Sequence, residues 1–297
     1  MNFLRKWIEL EKSVFSNWKM ILNISKKEFK KEFAGSRLGI VWALLRPIAM
    51  ILVFWVVFGM VFSGGAQDGP LLPNGTYEKV PYLVWLVAGY VPWIFISDYI
   101  VAGASSIRNS AFLVKKVKFP VQILQSIRLM QSFYTFLIFL GINFIIMAFN
   151  GWLGKINYLL LIYAIIVTVI FMSALARLLS TWVVMSVDFM HAIGISMQFL
   201  FWLSPVMWAM NQMVKPMMAG DYAQYTHLAV SLVKLNPLTY LVLMFRDAYL
   251  GTDWVSMDFF GMPGWTYTVY FFVITIILFI IGTRVFNKFR PEFDDVL

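Results

Sequence analysis

The chain has 297 residues, is 61% apolar and only 13% charged, and has a mean hydropathy of +0.76. Soluble domains run at about 45–50% apolar and about 25% charged, and a globule of this size buries only about 75% of its unfolded-chain surface, so a water-soluble fold is excluded. There is no cysteine, and His191 and His227 are the only histidines, which excludes a disulfide scaffold and a cysteine-ligated metal. No catalytic residue and no metal site are expected.

In chain order, Leu4, Trp7, Ile8, Val14, Phe15, Trp18, Ile21 and Leu22 recur every three to four residues, with Arg5, Lys6, Lys12 and Lys19 between them. The pattern predicts an amphipathic helix over Phe3–Ile24 in the headgroup layer, continued by Phe29 and Phe33. Six stretches then meet the roughly 20 apolar residues a spanning helix needs. They are Leu38–Phe62, Val80–Ser106, Val121–Phe149, Ile156–Ser186, Phe189–Met210 and Gly264–Phe286. Turn-forming residues break them at 63–75, at Asn150-Gly151-Trp152 and over Asp253–Gly264. Between the fifth and sixth spans, Leu228–Leu235 and Leu238–Leu250 are each too short to cross, and Asn236-Pro237 divides them. They predict a pair of re-entrant extracellular helices; the alternative is a seventh, broken span.

The expected architecture is an all-α integral membrane protein of one domain, 1–297. Residues 1–36 form the cytoplasmic interfacial helix, 37–288 a six-span bundle and 289–297 a cytoplasmic tail. Residues 1–46, the stretch from Arg108 to Lys118 and the tail from Arg284 together hold 17 of the 24 basic residues, all on one face. The positive-inside rule then places both termini in the cytoplasm. The net charge of +9 reads as topology and contact with anionic membrane lipids, with no nucleic acid as partner.

No G-x-x-x-x-G-K-S/T loop is present, so the chain is not expected to hold ATP phosphates or to be an enzyme by itself. Asp188 and His191 lie three apart but make an incomplete metal site, and a local cap or hydrogen bond is the expected role. Asp98 stands alone inside a span. A carboxylate there costs about 2.5–3.5 kcal/mol and must face protein or water, which suits a substrate contact, a proton relay or a hydrogen-bonded helix contact. An intramembrane transferase needs clustered acids for metal and phosphate chemistry, and one carboxylate does not supply them.

Four stretches occur in a telling order. Phe33-Ala34-Gly35-Ser36-Arg37-Leu38-Gly39-Ile40-Val41-Trp42 leads to Arg46-Pro47, and Ala88-Gly89-Tyr90-Val91-Pro92-Trp93-Ile94-Phe95 lies in the second span. Val114-Lys115-Lys116-Val117-Lys118-Phe119-Pro120 follows it, and Leu203-Ser204-Pro205-Val206-Met207-Trp208, Asn236-Pro237-Leu238 and Phe245-Arg246-Asp247 come late. Together they resemble the membrane subunit of type-2 ABC exporters. Within that group the chain looks most like wall teichoic acid translocation permeases, then O-antigen and capsular polysaccharide export permeases. It departs from the group at Gln125, often proline, and at Val187, often arginine.

The resemblance implies a homodimer joined to two separate ATP-binding subunits, which carry ATP and magnesium; this chain holds no cofactor. It implies export of a polyprenyl diphosphate-linked polymer, a teichoic acid or related polysaccharide, across the bacterial cytoplasmic membrane. Arg108, Lys115, Lys116, Lys118, Phe119 and Pro120 would form the ATPase-coupling loop. Arg37 and Arg46 would hold the diphosphate, since arginine chelates phosphate bidentately, or else snorkel to lipid. Trp42, Tyr90, Trp93, Asp98, Tyr99 and Trp208 would line the translocation path, although Trp and Tyr also form interfacial belts. Two alternatives stay open: a type-2 exporter of a hydrophobic drug or bacteriocin, and an ion-coupled carrier.

Overall fold

The structure is a computed structural model; the residues it describes are 2–32, 39, 41–62, 66–71, 77–116, 119–209, 223–252 and 264–297. Two short helices open the chain, α1 (Asn2–Ser16) and α2 (Trp18–Glu32), where one continuous helix was expected. The break lies at Asn17, whose side-chain amide donates to the Ser13 carbonyl (2.8 Å) and competes with the helical ladder there. Helix α2 also does more than lie on a membrane surface. Ile21 and Ser25 are fully buried, and the Ser25 and Tyr134 hydroxyls share a hydrogen bond (3.2 Å).

Helix α3 (Val41–Phe54) widens into π-helical turns over Trp55–Phe62. An antiparallel hairpin follows, β1 (Ala66–Leu71) against β2 (Tyr77–Pro81), with Lys79 bridging to Asp68. The all-α expectation is amended by this hairpin.

The long helices are α4 (Tyr82–Ser105), α6 (Ile123–Phe149), α7 (Tyr158–Met185) and α11 (Gly264–Phe289). Short helix α5 (Ala111–Lys116) lies between α4 and α6. With Leu44–Val61, which joins α3 to its π-helical end, the described residues hold five segments long and apolar enough to span a membrane. They match the first, second, third, fourth and sixth expected spans.

The fifth differs. Helix α8 (Asp188–Leu203) has 16 residues, a length of about 24 Å against the roughly 30 Å of a hydrocarbon core. Pro205 explains the early stop, because proline disfavours helical backbone at the residue before it, and Ser204 is extended. Residues 210–222, which include the end of that expected span, lie outside the described residues.

Helices α9 (Thr226–Leu235) and α10 (Pro237–Leu250) meet at an 81° bend, so the break expected at Asn236-Pro237 is present. Asn236 is extended before the proline, and its Oδ1 accepts from the Leu238 amide (3.0 Å) to cap α10. Among the described residues, this bent pair would make a sixth crossing by length if it counts as one span.

Helix α4 is the hub, 83% buried over its apolar window, and it packs against α6, α7, α8 and α10. Gly103 lets the Ala176 methyl of α7 approach to 3.0 Å from where a Cβ would stand. A second apolar cluster gathers Leu10, Ile21, Ile107, Ile127, Val184 and Phe286. It brings α1, α2, the 107–124 stretch and the C-terminal end of α11 to one end of the molecule. Described parts of all three basic segments of the sequence therefore share one end. The hairpin, with Glu78 paired to Lys155, marks the other.

Candidate functional site

Helix α4 presents Tyr90, Trp93, Ile94, Ser97, Asp98, Val101, Ala102 and Ser105 to one cavity of about 1270 Å³. That spacing, three or four residues apart, is a single stripe along the helix. Helix α3 contributes Trp42, Arg46 and Met50; α6 contributes Arg128, Gln131, Ser132 and Thr135; α8 contributes Met197, Gln198, Phe201 and Trp202. Glu28, Lys31 and Glu32 of α2 and Asn109 line the near end.

The lining is graded along α4. From Ser97 to Ser105 it carries Ser97, Asp98 and Ser105 beside Val101 and Ala102, and the same cavity holds Arg128, which donates from Nη1 to Gln131 Oε1 (2.9 Å). Toward Tyr90 it is aromatic. Phe201 lies 6.1 Å from Tyr90, 5.7 Å from Trp93 and 5.7 Å from Trp202, ring centre to ring centre. At about 1.5 Å per residue the stripe from Tyr90 to Ser105 runs about 22 Å. Such a groove can hold an anionic group at its charged end while sugar or lipid faces stack farther along. The charged end is balanced: Lys31, Arg46 and Arg128 stand among Glu28, Glu32 and Asp98.

Several residues singled out in the sequence meet here: Trp42, Arg46, Tyr90, Trp93 and Asp98, the last exposed to the cavity. Tyr99 does not. It is 1% exposed and packs at Gly103 toward α7, because one residue past Asp98 is about 100° around the helix. Trp208 is also off the lining, its indole donating to the Trp202 carbonyl (3.0 Å). Arg37 lies outside the described residues.

The basic loop divides in the same way. Arg108 Nη1 donates to the Val184 carbonyl (3.2 Å) at the C-terminal end of α7, so it caps that helix. Lys115 is exposed on α5, and Lys116 ends that helix. Phe119 packs on the second apolar cluster, the Pro120 carbonyl accepts from Ile123 N (3.0 Å), and Lys118 lies outside the described residues. Asp188 makes a local hydrogen-bonded pair with Ser186: its N donates to Ser186 Oγ (3.3 Å) and Ser186 Oγ donates to Asp188 Oδ2 (3.2 Å), while α8 has no side-chain N-cap bond.

Arg128, Gln131, Gln198, Phe201 and Trp202 are lining residues that the sequence reading passed over. The signal for the first was legible: Arg128, Gln131, Ser132 and Thr135 recur at positions i, i+3, i+4 and i+7 of the third span.

The model of the ABC-2 type transporter family matches residues 20–250, most of the chain and nearly all of the cavity wall. The chain belongs to that family. Relatives agree with it. The O-antigen export system permease protein RfbA of Klebsiella pneumoniae is 20% identical over 279 residues, covering 94% of this chain and 95% of its own length. The protein of the same description from Myxococcus xanthus is 23% identical over 205 residues, 69% of this chain and 74% of its own. As an ABC-2 permease, this chain is the membrane-embedded part of a transporter, and its cavity lies among its candidate spans.

Proposed function

We propose that this permease exports a lipid-linked cell-surface polysaccharide, driven by ATP hydrolysis on a separate subunit. The observation that carries the reading is a cavity running from a charged end with Arg46 and Arg128 to an aromatic end with Tyr90, Trp93, Phe201 and Trp202. A polyprenyl diphosphate-linked chain has both chemistries, an anionic head for bidentate arginine and sugar faces for stacking. Asp98 and Gln198 add acceptors for hydroxyl groups. A hydrophobic drug would leave these polar groups without partners, which disfavours that cargo.

The similarity to O-antigen export permeases supports a glycan cargo. Wall teichoic acid presents the same lipid diphosphate anchor, and its permeases share the motifs described above. Two copies of the chain would pair with two ATP-binding subunits, with both termini cytoplasmic. Lys115 on α5 and the segment to Pro120 would dock on the ATPase. Nucleotide would then bias one conformation of the pair through that contact. Helices α9 and α10, about 15 and 21 Å long, would enter and leave the outer leaflet without crossing.

The test is reconstitution with the ATPase in liposomes, offering lipid-linked glycan and lipid-linked polyol phosphate in turn. Arg46→Gln with Arg128→Gln is expected to cut export at least about tenfold, the loss of one charge-assisted phosphate contact or more. Assembly with the ATPase should survive. Wild-type export by a folded double variant would remove the phosphate reading.

A further inference from the structure

Arg246 of α10 is only 5% exposed, and its guanidinium carbon lies 3.5 Å from the centre of the Trp85 ring. Nη1 donates to the Pro205 carbonyl (2.8 Å) and Nη2 to the Val206 carbonyl (2.9 Å). A Cβ on residue 89 would overlap Nη2 and stand 3.2 Å from the Val206 carbonyl, so Gly89 is the space the cation occupies. One side chain thus joins α4, through Trp85 and Gly89, to the segment just beyond α8.

Those two elements are walls of the cavity. Tyr90, next to Gly89, is the first lining residue of α4, and Trp202, three before Pro205, is the last of α8. The joint therefore sits at the aromatic end, away from Arg46 and Arg128. Two bonds reinforce it: the Tyr82 hydroxyl donates to the Met207 carbonyl (2.7 Å), and Asn236 Nδ2 donates to Ser204 Oγ (2.7 Å).

Arginine suits the place, because its flat fork reaches two successive carbonyls while its face lies on an indole; lysine offers neither. Burying a cation is costly, and Nε has no hydrogen-bond partner among the described residues. An apolar side chain of similar size would hold static helices together at lower cost. The cation's bonds to backbone carbonyls make a contact that is directional and separable.

We propose that Arg246 is a positioning residue that latches the C-terminal end of α8 onto α4 and so closes the aromatic end of the cavity. Cargo leaving by that end requires the latch to part; that last step alone rests on the exporter reading.

The closure is testable on the full chain in liposomes, with no nucleotide, ATPase or polymer, so the result stands whatever the cargo is. The sequence has no cysteine, and Val206 is fully buried, so Val206→Cys is a single reporter that leaves the residue's carbonyl in place. Labelling of that thiol by a water-soluble maleimide is expected to be slow. Arg246→Gln, and separately Gly89→Ala, which displaces the guanidinium, should each raise the rate at least about tenfold, the loss of one charge-assisted hydrogen bond. Unchanged labelling in either variant that still elutes as a folded species overturns the latch, as does loss of the folded chain in both.

Discussion

Arg177 shows how much one polar side chain organises in this molecule. Its Nη2 pairs with Glu11 Oε1 at 2.8 Å, its Nη1 donates to Thr283 Oγ1 at 3.1 Å, and its guanidinium stands 5.5 Å from the Phe279 ring. Trp7 packs edge-on against the same ring and donates to Glu11. So α1 is fastened to α7 and α11 through one partly buried pair. Glu11→Ala is expected to cost about 1–3 kcal/mol, between an exposed and a buried ion pair. Hydrogen exchange over Asn2–Ser16 should speed up while α7 keeps its protection. Equal exchange in both proteins would mean the pair does not hold the helix. Nothing in the sequence pairs Glu11 with Arg177, which lies 166 residues farther along the chain.

Helix packing here depends on glycines that the sequence cannot rank. A Cβ on Gly282 of α11 would stand 3.0 Å from the Ala174 carbonyl and 3.3 Å from the Leu178 amide of α7. Gly141 of α6 has nothing within 4 Å. Both look alike along the chain, as isolated glycines inside apolar spans. Gly282→Leu should force α7 and α11 apart at a cost of about 1–3 kcal/mol, read as a lower melting temperature in detergent. Gly141→Leu should leave that temperature unchanged or raise it, since leucine favours helix. A matching loss at both positions would show that the close approach is not what stabilises the pair.

Across the whole molecule, charge and cavity share an axis. The helices and loops that carry the basic residues meet around Leu10, Ile107 and Phe286, and the charged end of the cavity opens beside α2. The hairpin and Lys155 lie at the opposite end. If the basic end faces the cytoplasm, Gly154→Cys should react with an impermeant thiol reagent in intact spheroplasts. Lys288→Cys should react only after permeabilisation. The reverse pattern would turn the permease over and would place the latch of Arg246 on the cytoplasmic side.

Composition and periodicity alone determined that the chain lives in a membrane, where five of its spans run, and that helix breaks at Asn236-Pro237. Those properties are local, since apolar length and proline backbone geometry act within a few residues. Tertiary structure decided which polar residues matter together. Asp98 and Tyr99 are neighbours in the chain, yet one faces the cavity and the other is packed away from it. Arg177 pairs with Glu11, 166 residues back along the chain, and Arg246 reaches carbonyls about 40 residues back. A charged side chain in an apolar setting goes wherever a distant partner satisfies it, and only the folded chain brings that partner within reach.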